Sequence, residues 1–458
     1  MNIISNLKFR SKTALFSASV SPFKKKLISD GAWAFLGKML ALFSGLIIST
    51  LLSRLLTPEE LGAYYLTLSL TSVAVIVAQF GLNRTIVRLI AESLGTGRPG
   101  RALKSIRLAI EITIVSTGIV AGFLAFGLGK WIATNLFHSD LMAQVVRIAV
   151  IWMVMTAFQS LIGEIFRGLS NIRMAAIFGR LSTTLLSMFL FAGLWIIHGH
   201  SNINEIILLS IISGLFSIII SSLILRNNLR DFPFEDSISI KDVVSISGVI
   251  WITNIFLLIW SQSDVWILGA FRSQEDVALY SLAFKLVVLV NIPSIVVNAI
   301  IPPIIAETYS QKNLHKLERV LRTAATSAAL PSVLIFLVLI FRGDFILGTL
   351  YGEYYKAARF ILAILSIGPL INVLSGSCGE TLLLTGFQET MLKITIFGAF
   401  FTVLGELLLV QTHGAIGVAM AAMTGMSLQN LLTLFVTRKK VGVWTFANFG
   451  FLRNFISA

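Results

Sequence analysis

The sequence predicts an all-α polytopic membrane protein: about twelve transmembrane helices in two six-helix bundles, repeated in parallel around a central cavity. Three observations carry this. Only 13% of the 458 residues are charged and 56% are hydrophobic, with a mean hydropathy of +0.87; a soluble domain carries about 25% charged residues. The apolar residues gather into runs long enough to cross a bilayer, which takes roughly 20 residues each. A short motif recurs 216 residues further on. The composition excludes a soluble multidomain enzyme and a disordered chain, because no aqueous fold hides so much apolar surface. The single cysteine, Cys378, excludes an internal disulfide framework and a cysteine-cluster metal site.

The elements follow in order. Residues 1–27 hold Lys8, Arg10, Lys12, Lys24, Lys25 and Lys26 around a short, broken apolar stretch. That pattern does not suit a cleaved signal peptide; it suits a basic leader lying on anionic lipid. Spans are expected near 28–52, 61–83, 108–128, 143–165, 176–197 and 205–225. After a charged linker at 226–242 come spans near 243–263, 278–304, 322–342, 357–378, 391–410 and 415–436. The two groups of six occupy 28–225 and 243–437, and 438–458 forms a tail. The runs are too long and continuous for β-barrel strands, which are short and alternating.

Basic residues orient the chain. Of the 36 Lys and Arg, 27 lie in the leader, the tail and every second connection, and 7 lie in the opposite connections. The richer set is expected to face the cytoplasm, with both termini inside. Spread this way, the net charge of +14 reflects topology; no nucleic-acid module accompanies it. The segment Gly95-Thr96-Gly97-Arg98-Pro99-Gly100-Arg101 lacks the spacing of a nucleotide-binding loop and reads as a turn. The longest opposite connections, 129–142 and 343–356, leave no room for a catalytic domain. His198 and His200 stand without further ligands, so no metal or cofactor is expected.

The recurring motif is Thr57-Pro58-Glu59-Glu60-Leu61-Gly62-Ala63-Tyr64 and Ser273-Gln274-Glu275-Asp276-Val277-Ala278-Leu279-Tyr280. Leu66 with Leu282 and Leu70 with Leu286 extend it. Both copies follow the first helix of a six-helix group. Six crossings return the chain to its starting side, so the halves are parallel repeats about an axis along the membrane normal.

Two basic residues remain within spans, Lys38 and Lys285. An ionisable group there costs a few kcal/mol and is a functional candidate by default. Lys38 shares a side of its helix with Gly31, Ala34, Ala41, Gly45 and Ser49, which suits a solvated cavity wall; close helix packing with a snorkelling lysine is the alternative. Lys285 has the same two readings, with Asp264 as a candidate counter-charge. Ser247, Trp251, Asn254 and Ser261 share one face of the seventh span, which either lines the cavity or joins helices. Arg84 and Arg88, after Gln79 and Asn83 at the end of the second span, either meet a phosphate or anchor the helix. Glu406, Glu111 and Glu164 are candidates for ion coupling. Arg107 and Arg167 are local partners for the last two, and Glu406 has none. Pro293, Pro302, Pro303, Pro331 and Pro369 fall in spans eight to ten as hinges or static kinks.

Leu51-Leu52-Ser53-Arg54-Leu55-Leu56-Thr57-Pro58-Glu59-Glu60-Leu61-Gly62-Ala63-Tyr64 resembles the first outer loop of bacterial polysaccharide-repeat flippases. Asp264-Val265-Trp266-Ile267-Leu268-Gly269 through Tyr280 resembles its repeat, and Asp264 matches an acid common at that position. Phe166-Arg167-Gly168-Leu169 and Tyr351-Gly352-Glu353-Tyr354-Tyr355 fit the same pattern. The resemblance covers nearly the whole chain. It implies the oligosaccharide branch of the multidrug/oligosaccharidyl-lipid/polysaccharide exporter superfamily. Such proteins move undecaprenyl-diphosphate-linked oligosaccharides across the bacterial cytoplasmic membrane for O-antigen, capsule or exopolysaccharide. The implied partners are that lipid-linked substrate, membrane lipids and other polysaccharide assembly proteins. Only a short tail follows the twelfth run, unlike the peptidoglycan-precursor flippase with its two additional helices. A cation-coupled drug exporter of the same superfamily, a membrane-embedded polymerase or ligase, and a scaffold stay open as alternatives.

Overall fold

The computed structural model describes residues 22–233 and 238–448. Lys8, Arg10 and Lys12 of the leader and positions 234–237 of the linker lie outside the described residues. Among the described residues the chain is helical throughout and has no strand. The first half holds α1 (Pro22–Leu55), α2 (Pro58–Gln79), α3 (Leu82–Gly95), α4 (Pro99–Leu136), α5 (Asp140–Gly168), α6 (Ile172–His198) and α7 (Ile203–Leu229). The second half begins with α8 (Ile240–Phe271), α9 (Gln274–Ser310), α10 (Leu314–Tyr351), α11 (Glu353–Ser375) and α12 (Cys378–Leu384). It ends in the run Gln388–Val441.

Among the described residues, ten helices are long and apolar enough to cross a membrane. The last, at 54 residues, breaks at Gly414, where φ is 57°. A Cβ on Gly405 would lie 3.1 Å from the Ala421 side chain, and one on Gly398 3.1 Å from Gln429. These pairs are symmetric about the break, so the run is two antiparallel arms, α13 (388–413) and α14 (415–441).

The repeated motif is a helix start in both halves. Thr57 is the N-cap of α2. Its hydroxyl accepts from the Glu60 N–H at 3.3 Å, and the Glu60 carboxylate accepts from the Thr57 N–H at 3.0 Å. Ser273 also caps α9, accepting from the Asp276 N–H at 3.5 Å, without a return bond. Each cap bond satisfies a backbone donor that the first turn leaves free. The two starts meet. Gly62 sits so close to α9 that a Cβ there would lie 1.8 Å from the Gln274 carbonyl oxygen. We call the end of the bundle carrying Thr57 and Ser273 the far face. The near face carries Pro22, the α3–α4 turn and residues 442–448.

At the far face one core spans both halves, with Leu52, Leu61, Leu66, Phe137, Leu282, Leu286 and Tyr351 fully or nearly buried. In a bilayer, apolar burial distinguishes little between helix and lipid, so close packing and polar contacts must hold such a seam. Arg54 at the end of α1 reaches across it, donating to the carbonyls of Thr349 at 2.7 Å, Leu350 at 3.3 Å and Gly348 at 3.4 Å. Gln274 Nε2 donates to the Phe137 carbonyl at 3.1 Å, and Ser49 and Tyr351 share a hydrogen bond at 3.3 Å. Away from α8, every hydrogen bond described between the halves lies at this face.

Several expected boundaries move. The second span ends at Gln79, four residues early. Phe80 (φ 46°) and Gly81 (φ 72°) turn the chain, and α3 starts afresh as a short amphipathic helix. A Cβ at Gly81 would meet the Ser247 carbonyl at 2.3 Å, so α8 packs directly on this turn. The expected loop 129–142 is mostly helix: α4 continues to Leu136 through two π-helical turns, Leu124–Leu128 and Ile132–Leu136. Pro293, Pro302 and Pro303 lie inside α9, Pro331 inside α10 and Pro369 inside α11.

Candidate functional site

Two groups of polar residues occupy the helical interior, and their charges differ in sign. The first is cationic. Leu36, Leu40, Phe43 and Ile47 of α1 are exposed apolar residues, a stripe suited to lipid. At 100° per residue they lie about 140–200° around the helix from Lys38. Lys38 is also exposed, but on the opposite side. Ser49, about 20° from Lys38, meets Tyr351 of the second half at the far face. The Lys38 face of α1 therefore turns toward the second half. It is sealed there at the far end and open at the depth of Lys38.

Lys285, half-buried on α9, holds its Nζ 5.9 Å from the centre of the Tyr65 ring on α2. This contact crosses between the halves. Its expected counter-charge is not its partner. Asp264 Oδ2 accepts from the Tyr280 hydroxyl at 2.8 Å, and Oδ1 from the Val265 N–H at 2.8 Å. A third cation, Arg180, exposed on the π-helical turn Ile177–Leu181 of α6, lies within electrostatic reach of Lys285 and repels it. Neither Arg180 nor Lys285 forms an ion pair among the described residues. Arg180 falls inside the apolar run 176–197, which makes it a further basic residue within a span beside Lys38 and Lys285. Isolated cations away from carboxylates are costly to retain unless an anion or water meets them.

Arg84 and Arg88 do not end the second helix. They sit four residues apart on the exposed side of α3, whose other face buries Leu82, Ile86, Leu89 and Ile90. Both arginines flank the near face. Glu164 takes the local reading, with Arg167 Nη1 donating to both its oxygens at 2.6 Å. Glu111 is exposed on α4. The polar face of α8 divides. Ser247 donates to Thr85 at 3.1 Å and Trp251 Nε1 to the Val77 carbonyl at 3.1 Å, so these two join α8 to the first half. Asn254 is half-buried between them and Ser261, which faces a cavity.

That cavity is the second group. It measures about 450 Å³ and lies within the second half, between α8, α9, α11, α13 and α14. Asp264, Glu406, Asn298, Asn372, Gln429 and Ser377 line it. Glu406 is 1% exposed; Ser263 hydrogen-bonds to its carboxylate, and Oε2 has no partner among the described residues. Asp264 lies within electrostatic reach. Three carboxylates, Asp264, Glu406 and Glu380, line this cavity with no basic residue in its lining, a set of oxygen donors suited to a proton or a hard cation. Ser377 donates to Asn298 at 2.7 Å and Asn372 to Asn291 at 3.0 Å, which fixes the amides around it.

Two halves of long helices, sealed at one face, with ionisable groups at mid-depth, have the plan of a polytopic membrane transporter. The comparisons agree. Residues 27–309 match the family described as "Polysaccharide biosynthesis protein", and the chain belongs to it. Residues 250–408 also match the MatE family. The chain is 20% identical over 389 residues to the "Probable low-salt glycan biosynthesis flippase Agl15" of Haloferax volcanii, covering 84% of this chain and 77% of that protein. The fold is similar to the inward-facing conformation of a multidrug resistance MATE family transporter (TM-score 0.73, 16% identity, 88% of this chain and 94% of that one). It is also similar to the lipid II flippase MurJ in an inward closed conformation (TM-score 0.60, 14% identity, 90% and 87%). The outward-facing conformation of a MATE transporter superposes less well, with a TM-score of 0.59 at 15% identity over 91% and 96%.

Proposed function

We propose that this protein is a flippase for diphosphate-linked oligosaccharide lipids, working by alternating access. It crosses the membrane twelve times, with the near face in the cytoplasm of a bacterial cell and both termini there. The observation that carries this reading is the cation set Lys38, Arg180 and Lys285, drawn from three helices and both halves, none of them tied to a carboxylate among the described residues. A diphosphate offers the charge such a set lacks, and guanidinium matches its oxygens in a fork. Arg84 and Arg88 at the near face meet the head group first. The polyprenyl tail stays in lipid while the head group enters between the halves. Opening the far face then releases it on the other side. No bond is broken; Asp264 and Glu406 bind the coupling proton or cation, and neighbouring assembly proteins consume the product.

The test is complementation of a strain that lacks the flippase for a cognate lipid-linked glycan. Wild-type protein restores surface polysaccharide. Lys38→Ala, Arg180→Ala and Lys285→Ala each reduce it at least tenfold at unchanged protein level. Full activity in all three removes the cation set from the mechanism, and glycosidic bond formation by the purified protein overturns the transport reading itself.

One observation favours a second reading. The MatE match at residues 250–408 covers both Asp264 and Glu406, as a cation-coupled exporter of small molecules would require. Raised resistance to cationic dyes with no change in surface glycan selects that reading.

A further inference from the structure

The packed structure continues past the end of α14. Gly442 caps the helix, and residues 443–448 run back beneath the second half. Val443 and Thr445 are wholly buried. The Trp444 N–H donates to Glu318 Oε2 at 3.2 Å, Thr445 Oγ1 to the Ser375 carbonyl at 2.6 Å, Ala447 N–H to the Leu374 carbonyl at 2.9 Å, and Asn448 N–H to Thr326 Oγ1 at 2.8 Å. Arg322 lies 4.4 Å above the Phe446 ring and Arg438 lies 5.6 Å above that of Trp444. The segment thus ties α10, the end of α11 and the end of α14 together at the near face.

Its place relative to the cavity gives this a use. Residues 376–380 line the acid-bearing cavity. Gly376 is so close to the segment that a Cβ there would lie 2.2 Å from the Thr445 carbonyl oxygen. The wall residue and the segment are in backbone contact, with nothing between them. The contacts that hold the segment are also reversible ones. They are single hydrogen bonds, ring contacts, and Glu318 shared between Arg322 and Arg438, both at 3.5 Å in a part-exposed setting where ion pairs are weak.

We propose that residues 443–448 are a strap that closes the cavity of Asp264 and Glu406 toward the near face, and that water and ions from that side reach it when the strap lifts. The closure stands on the geometry alone; its use in ion coupling rests on the function proposed above. Coupling then has a second gate, separate from the opening between the halves through which the large substrate passes.

Cys378 reports on the strap. It is the sole thiol, lines the cavity and is 2% exposed. A membrane-impermeant maleimide is applied to the near face in inside-out vesicles. Full-length wild type labels slowly. The double variant Glu318→Ala with Thr445→Ala, which removes the acceptor for Trp444 and the bond to Ser375, labels at least tenfold faster at equal protein level. Gly376→Ala, which displaces Thr445, is an independent second variant if the first does not insert. Rapid labelling of the wild type, or labelling of folded, strap-loosened protein no faster than wild type, overturns the proposal. Labelling needs no substrate, so failure of the glycan reading leaves this result intact. Faster labelling with unaltered ion dependence of transport separates the closure from its coupling role.

Discussion

Single residues divide here by whether a partner is already at hand. Glu164 and Glu406 are both carboxylates within helices, and the amino-acid sequence makes both candidates for ion coupling. Arg167 stands three residues from Glu164 on the same face and holds both oxygens at 2.6 Å, so this acid already has its counter-charge. Glu406 has an oxygen without a partner among the described residues and faces a cavity that it shares with Asp264. Glu406→Gln keeps the volume and removes the charge. It is expected to lower gradient-driven transport in proteoliposomes at least tenfold, whereas Glu164→Gln changes it less than twofold. Equal effects would show that burial and pairing do not sort these two acids. Local partners are legible in a sequence, because spacings of three and four are neighbours on a helix. Distant ones are not. Tyr280 takes Asp264 from 16 residues away, across the turn between α8 and α9, which is why the expected pairing with Lys285 fails.

The helices follow the same division. Their existence was readable because the bilayer demands roughly 20 apolar residues for each crossing, and their starts were readable wherever a side chain caps the first turn. The repeated Thr57 and Ser273 motifs are such starts. The break after Gln79 was not readable, because packing imposes it: Gly81 turns where the Ser247 carbonyl of α8 leaves no room for a side chain. The π-helical turn that carries Arg180 is equally silent in composition. An N-cap hydroxyl is worth about 1 kcal/mol, and the two caps differ in quality. Thr57 accepts at 3.3 Å within a complete reciprocal box, while Ser273 accepts at 3.5 Å without the return bond. Thr57→Ala should therefore lower unfolding stability in mixed micelles by about 1 kcal/mol, and Ser273→Ala by less. The reverse order would mean that tertiary packing, not the cap, sets both starts.

At the scale of the whole molecule, the hydrogen bonds described between the halves away from α8 gather at the far face. Arg54 is the largest contributor. It donates three hydrogen bonds to carbonyls in the last turn of α10, where a helix leaves acceptors free. Opening the far face must break them. Each net bond contributes roughly 0.5–1.5 kcal/mol, and carbonyls at an exposed end regain water when Arg54 leaves. Removing the side chain is then expected to disfavour the closed state by about 1–2 kcal/mol, which is roughly a 5- to 30-fold shift in the population ratio. The shift can be seen directly. With Cys378 replaced by Ser, spin labels at Asn135→Cys in the first half and Glu353→Cys in the second, both exposed, report the far-face separation by pulsed electron resonance. Arg54→Ala should raise the long-distance population by that factor, and Arg54→Lys should raise it less, because an ammonium still reaches one carbonyl. Transport need not fall with it. A cycle limited by far-face opening would run faster, and one limited by reclosure would run slower, so the distance distribution and the transport rate together identify the slow step. An unchanged distribution in Arg54→Ala would place the seal in the backbone contact of Gly62 with Gln274 and the buried seam beneath it.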